Sequence, residues 1–148
     1  MLKKIIKCVL VLLSFLLTGC EILEPELGEC SNCFLEIEAP SLSIDNNNYY
    51  HLQFNEGSLQ TFTQLRAYVG YEMEYVGWTT DTSFDGCTWG HCEDVPIVNG
   101  SSYTLNDGYA YTMMGVYEQN IGDTATVWVG YLDNYGKQWI DSLKVIIK

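Results

Sequence analysis

Thiols are the first side chains in this chain whose spacing implies chemistry. Six cysteines are present, four of them in two short pairs: Cys30-Ser31-Asn32-Cys33 and Cys87-Thr88-Trp89-Gly90-His91-Cys92. An even number of cysteines in an exported chain reads first as disulfides. Local bridges, Cys30–Cys33 and Cys87–Cys92, are favoured because each cysteine then has a partner within reach whatever the topology. A cross-bridge such as Cys33 to Cys87 is the other disulfide arrangement and would close a far longer loop. Two close Cys pairs also match the spacing of a four-thiolate zinc site, which an oxidising compartment opposes. A second constellation is Asp81-Thr82-Ser83-Phe84-Asp85-Gly86. Asp81, Ser83 and Asp85 place oxygens at positions one, three and five of a calcium loop, with Gly86 at the sharp turn. Cys92 stands where the loop's closing glutamate belongs, so an ordinary acidic turn is the alternative. Trp89, Phe62 and Tyr68 are candidates for a stacking surface that takes a ligand such as a glycan. Acid–base or nucleophilic catalysis has little to draw on. His51 and His91 are the only histidines, and neither belongs to a recognisable Ser-His-Asp or Cys-His set. A non-catalytic protein is expected.

These residues follow a distinctive N-terminus. Lys3, Lys4 and Lys7 precede an apolar run from Cys8 to Leu17, interrupted only by Ser14. That is the charge and hydropathy profile of a secretory signal, too short for the roughly 20 residues of a spanning helix. The run ends in Leu17-Thr18-Gly19-Cys20, which resembles the lipobox of bacterial lipoproteins. The resemblance implies cleavage after residue 19 and acylation of the Cys20 thiol, so that the membrane is one partner, reached through the N-terminal lipid. Each buried acyl CH₂ contributes roughly 0.8 kcal/mol, so two or three chains anchor a small domain firmly. Glu21 stands where an aspartate would argue for inner-membrane retention. The expected location is the cell envelope, at the outer membrane or cell surface.

Removing residues 1–19 leaves 148 − 19 = 129 residues, one domain's worth. All 19 acids lie in that part against Arg66, Lys137, Lys144 and Lys148, so its charge is 4 − 19 = −15. A surface of that sign repels phosphate backbones, and nucleic acid is excluded as a partner. Residues 20–33 form an acidic tether, and the domain spans 34–148. Within it the apolar period is two, the period of strands. Leu35-Glu36-Ile37-Glu38-Ala39 alternates. From Leu59 to Val69, the residues Leu59, Thr61, Thr63, Leu65, Ala67 and Val69 line one face. Ala125, Val127, Val129 and Tyr131 are expected to meet Leu143, Val145 and Ile147 in the core. Turn residues punctuate the pattern at 45–48, 55–58, 106–108 and 133–136, and 81–94 is expected to be a loop.

The segment from Gly122 to Gly136, followed by Asp141 to Ile147, resembles the closing hairpin of bacterial immunoglobulin-like and polycystic-kidney-disease-type domains. The resemblance implies an all-β fold, an immunoglobulin-like antiparallel β-sandwich of about seven to nine strands after the signal-peptide helix. The function it implies is display, adhesion or protein binding at the envelope. The alternatives are a calcium-assisted carbohydrate-binding module and a purely structural lipoprotein.

Overall fold

Where apolar and polar residues alternate, one face of each strand is buried and the other is wet, and this pattern builds two sheets around one core. The computed structural model describes residues 35–148 apart from 89, 90, 99 and 134. Its strands are β1 (Glu36–Glu38), β2 (Ser43–Ile44), β3 (Tyr49–Leu52), β4 (Gln60–Tyr68), β5 (Tyr75–Thr80), β6 (Ser83–Thr88), β7 (His91–Pro96), β8 (Gly100–Tyr103), β9 (Tyr109–Tyr117), β10 (Thr124–Leu132) and β11 (Gln138–Ile147). A short 3₁₀ turn, Glu118–Asn120, joins β9 to β10. Sheet order is β1-β4-β9 in one layer and β2-β3-β11-β10-β5-β8 in the other, with β6-β7 as a separate hairpin. Among the described residues, no helix is long and apolar enough to cross a membrane.

The chain is therefore all-β and sandwich-like, with two corrections to the expected architecture. Eleven strands are present among the described residues rather than seven to nine. The larger sheet is mixed, because β3 lies parallel to β11. The C-terminus closes that parallel seam: Lys148 N–H donates to Leu52 O at 2.9 Å, and Phe54 N–H donates to Lys148 O at 2.6 Å.

The core comes from the inward positions of both layers. Leu35, Ile37 and Ala39 beside β4's Leu65 and Ala67 face Val127, Val129, Leu143 and Val145 of the other sheet. The expected inward set of β10 and β11 is buried throughout. Leu59 is the exception to the face assigned to 59–69. It is 91% exposed, whereas Leu65 is 0% exposed. β4 begins one residue later, after the Asn55–Ser58 turn, and Leu59 lies outside the ladder.

Three of the expected turns share one device. Asp45 Oδ1 accepts the N–H of Asn47 and of Tyr49, and its Oδ2 lies 3.0 Å from His51 Nε2. Asp107 accepts the N–H of Tyr109 and the hydroxyl of Tyr111. Asp133 accepts the N–H of Tyr135 and Lys137, and the Trp139 indole N–H at 3.0 Å. Each carboxylate ties its own turn and then grips a ring on the following strand. The acids are held below their ordinary pKa, Asp45 first by the Tyr49 amide, Asp107 by the Tyr111 hydroxyl and Asp133 by the Trp139 indole.

The expected loop at 81–94 is instead the β6-β7 hairpin, with Cys87 directly opposite Cys92. A one-to-one ladder from Ser83↔Pro96 to Thr88↔His91 absorbs residues whose Asp and Gly content reads as a loop. Buried Asn120 fastens its base: the side-chain Oδ1 accepts Tyr117 N–H and the Nδ2 donates to Ser83 O. The Phe84 and Tyr117 rings pack 4.0 Å apart between centroids.

The contrast between two leucines checks this packing. Leu65→Ala should cost about 2–5 kcal/mol through the cavity it leaves. Leu59→Ala should change stability by no more than about 0.5 kcal/mol. Urea unfolding of the two variants would decide it, and similar losses at both sites would contradict the burial described.

Candidate functional site

The sequence-derived candidates do not converge on one place. Cys20, Cys30, Cys33 and Trp89 lie outside the described residues. Cys87 and Cys92 form a disulfide, the local pairing favoured from spacing. Asp81 sits before β6, where its Oδ1 accepts Thr126 N–H at 2.8 Å and the Thr82 hydroxyl at 3.0 Å. Ser83 and Asp85 lie along β6, and among the described residues no group of three or more His, Cys, Asp or Glu side chains could hold a metal ion. Phe62 and Tyr68 share the outer face of β4 but are six residues apart, roughly 20 Å along a strand. Tyr68 belongs to a cluster with Tyr109, whose ring centroid is 5.0 Å away. Arg66 covers Tyr109 at 4.5 Å and pairs with Glu38 at 2.8 Å. Phe62 has another task, visible from the glycines.

Among the described residues, four glycines stand in strand interiors, Gly77, Gly86, Gly115 and Gly130, while Gly100 opens β8. Glycine weakens a strand and often marks a place where something approaches the backbone closely. At Gly115, opposite Phe62, an added Cβ would lie 2.7 Å from Gln60 Nε2 and 3.0 Å from the Phe62 ring. At Gly86 it would lie 2.6 Å from Val95 Cγ2. The protein's own side chains cover both. Gly77 and Gly130 differ. They face each other across β5 and β10, and added Cβ atoms would meet nothing closer than 3.8 Å and 3.6 Å. Neither has a positive φ that would demand glycine. No backbone constraint accounts for the pair, and the one side chain within 4 Å of the added atoms is that of Ile140, whose Cγ1 lies 3.9 Å from the Cβ position of Gly130.

What the pair creates is a trough of about 820 Å³ on the outer face of the six-stranded sheet. Tyr75 and Leu132 stand on one side of the glycine floor and Trp128 on the other; Ile140, opposite Gly130 on β11, closes one end. All four side chains are exposed, Leu132 at 61% and Trp128 at 36%. Thr79 and Gln138 add polar groups to an otherwise apolar lining. The Tyr75 ring is braced edge-on by Tyr103 at 5.5 Å. Register explains why these residues meet: β10's inward Val127, Val129 and Tyr131 force Trp128, Gly130 and Leu132 outward. The volume falls within the usual range for small-molecule sites, about 300–1,000 Å³. Sequence patterning overlooks this site. Its trace is apolar Trp128 and Leu132 in β10 slots where alternation calls for polar residues, with Gly130 between them.

No protein-family profile and no curated protein matches the chain. Among solved structures the chain is similar to superoxide reductase (neelaredoxin) from Ignicoccus hospitalis, at 10% sequence identity and a TM-score of 0.44, over 77% of this chain and 80% of that one. That protein is an enzyme, and the expectation of a non-catalytic display, adhesion or structural domain, with its glycan-binding alternative, is corrected accordingly. A sandwich-like outline does not mark a chain as non-catalytic. A likeness at this level transfers no reaction and no site residue to this chain.

The bare and the covered glycines should answer the same substitution differently. Gly77→Ala and Gly130→Ala should leave stability unchanged or raise it by up to about 1 kcal/mol, since alanine loses less entropy on ordering. Gly115→Ala must lift the Phe62 ring and the Gln60 amide, so its gain should be smaller or become a loss. Equal gains at all three in denaturant titrations would contradict the distinction.

Proposed function

We propose that this chain is an exported lipoprotein, acylated at Cys20, that holds a small and mainly apolar ligand in the trough over Gly77 and Gly130. The observation that carries the binding reading is the facing glycine pair, half-buried, free of backbone strain and with ordinary van der Waals room for a Cβ at each. Two residues that weaken a sheet are placed side by side on its interior strands β5 and β10, and what they leave behind is a floor. Around that floor an apolar surface lies exposed, the kind of patch that marks an interaction site on a soluble domain. The few polar groups, Thr79 and Gln138, are of the sort that orient a ligand without dominating its affinity.

Support for the anchor is the N-terminal charge and hydropathy pattern ending in Leu17-Thr18-Gly19-Cys20. On this reading the ligand is met at a membrane-bound position in the cell envelope. The immunoglobulin-like or polycystic-kidney-disease-type assignment of the sandwich belongs to the same proposal and rests on the pattern of the closing hairpin.

Anchoring is tested by labelled palmitate. The wild-type chain should incorporate it and partition with membranes, and Cys20→Ser should lose both properties; label retained by Cys20→Ser would refute acylation at that thiol.

Binding is tested with the neutral fluorophore N-phenyl-1-naphthylamine on the full chain in maltoside micelles. The Gly130→Val form serves as the blank with identical micelle background. Valine suits a strand and fills the trough, so that form should stay folded and bind at least about tenfold more weakly. Indistinguishable titrations of the two forms would dismiss the trough as a site.

A further inference from the structure

We infer that the trough selects a planar ring compound bearing no negative charge, laid face-down across the strands on the Gly77–Gly130 backbone. The inference rests on the binding reading above and names the ligand class for the same site. Its first support is the shape of the floor. Glycines on adjacent strands leave the two peptide planes as the surface, flat and without a projecting Cβ. Dispersion falls steeply with separation: a radial gap of about 0.5–1 Å forfeits a quarter to a half of each contact. A planar ring can touch all of such a floor at once, whereas a puckered or branched molecule touches it at a few points.

The second support is the spacing of the walls. Tyr75 and Leu132 lie two residues from the glycine row on one side, and Thr79 and Trp128 two residues on the other. At about 3.4 Å per residue the walls stand ~14 Å apart at the backbone. Allowing a centre-to-centre contact distance of about 3.5 Å at each wall leaves ~7 Å for the ligand's own atoms, room for one ring or for two fused rings. Along the row, Ser101 on β8 flanks Gly77 and Ile140 on β11 flanks Gly130, about 14 Å apart at ~4.8 Å per strand. Two fused rings fit between those two residues. Tyr75 and Trp128 then meet the ring at its edges, an arrangement aromatic pairs favour.

Charge supplies the third support. The whole chain carries −12, and the part after residue 19 carries 4 − 19 = −15. No Lys or Arg lines the trough. An anionic ring would meet repulsion with no local cation to offset it.

The test uses isotope-labelled full chain in micelles and three probes of one skeleton: 2-naphthol, decahydro-2-naphthol and 2-naphthoate. With 2-naphthol, the Gly77 and Gly130 amide resonances should move upfield in a saturable way, as a ring current directly above them requires. Decahydro-2-naphthol should bind at least about tenfold more weakly, and 2-naphthoate should bind more weakly than 2-naphthol at low salt and recover part of the difference as salt screens the repulsion. Equal affinity for the planar and puckered alcohols would sink the planar-ring inference while leaving the trough a binding site. Tighter binding of the anion would sink the charge clause. No probe-induced shift in wild type beyond that seen in Gly130→Val would remove the binding reading itself. Concentration-dependent broadening of the same two glycines without any probe would assign the face to a second copy of the chain and overturn the inference.

Discussion

The register of β10 between β5 and β11 is the constraint from which the rest of the molecule follows. Val127, Val129 and Tyr131 point into the core, where burying each apolar square ångström contributes roughly 25 cal/mol. Slipping the strand by one residue would send all of them to solvent and turn Trp128 and Gly130 inward. The core therefore selects the pairing that sets Gly130 opposite Gly77 and Ile140. The floor and walls of the trough are consequences of packing on the opposite side of the same strands. The site is carried on paired strands and not on loops.

Mid-strand glycines have two distinct uses in this fold. At Gly115 and Gly86 the missing Cβ makes room for the protein's own Phe62 and Val95. Such coverage returns contacts that the glycine itself cannot make. At Gly77 and Gly130 no such return exists, and the loss of strand propensity is tolerated in a sheet of six strands whose inner face is fully packed. The same local residue thus serves stability in the β1-β4-β9 sheet and the β6-β7 hairpin and leaves a bare floor in the six-stranded sheet. Only the neighbouring strand distinguishes the two.

The aspartates show how a strongly acidic chain keeps its charge out of the core. Asp45, Asp107 and Asp133 each collect amide donors from a tight turn and one donor from a ring on the next strand. Hydrogen bonds to the ionised form favour it, which is why these carboxyls titrate low. Asp141 does related work between layers, accepting the Ile37 N–H at 2.9 Å. Four of the chain's 19 acids, Asp45, Asp107, Asp133 and Asp141, thus fix turns or join sheets.

The sequence alone determined the inward faces. Period-two alternation located β1, β4, β10 and β11, and the Asp/Asn/Gly clusters at 45–48, 106–108 and 133–136 marked turns, because side-chain direction and turn chemistry are local properties. The Cys87–Cys92 bridge was legible for the same reason, as a five-residue separation. Tertiary structure decided what depends on neighbours distant in the chain. The parallel β3–β11 seam joins residues about 95 apart in sequence, and no local pattern encodes it. The 81–94 hairpin defeated a reading based on composition, since its ladder and its anchor at Asn120 override the loop tendency of Asp and Gly. Gly77 and Gly130 are 53 positions apart, and each alone is an ordinary weak point in a strand. Pairing across the sheet turns two absent side chains into one surface, and that juxtaposition exists only after the strands have found their register.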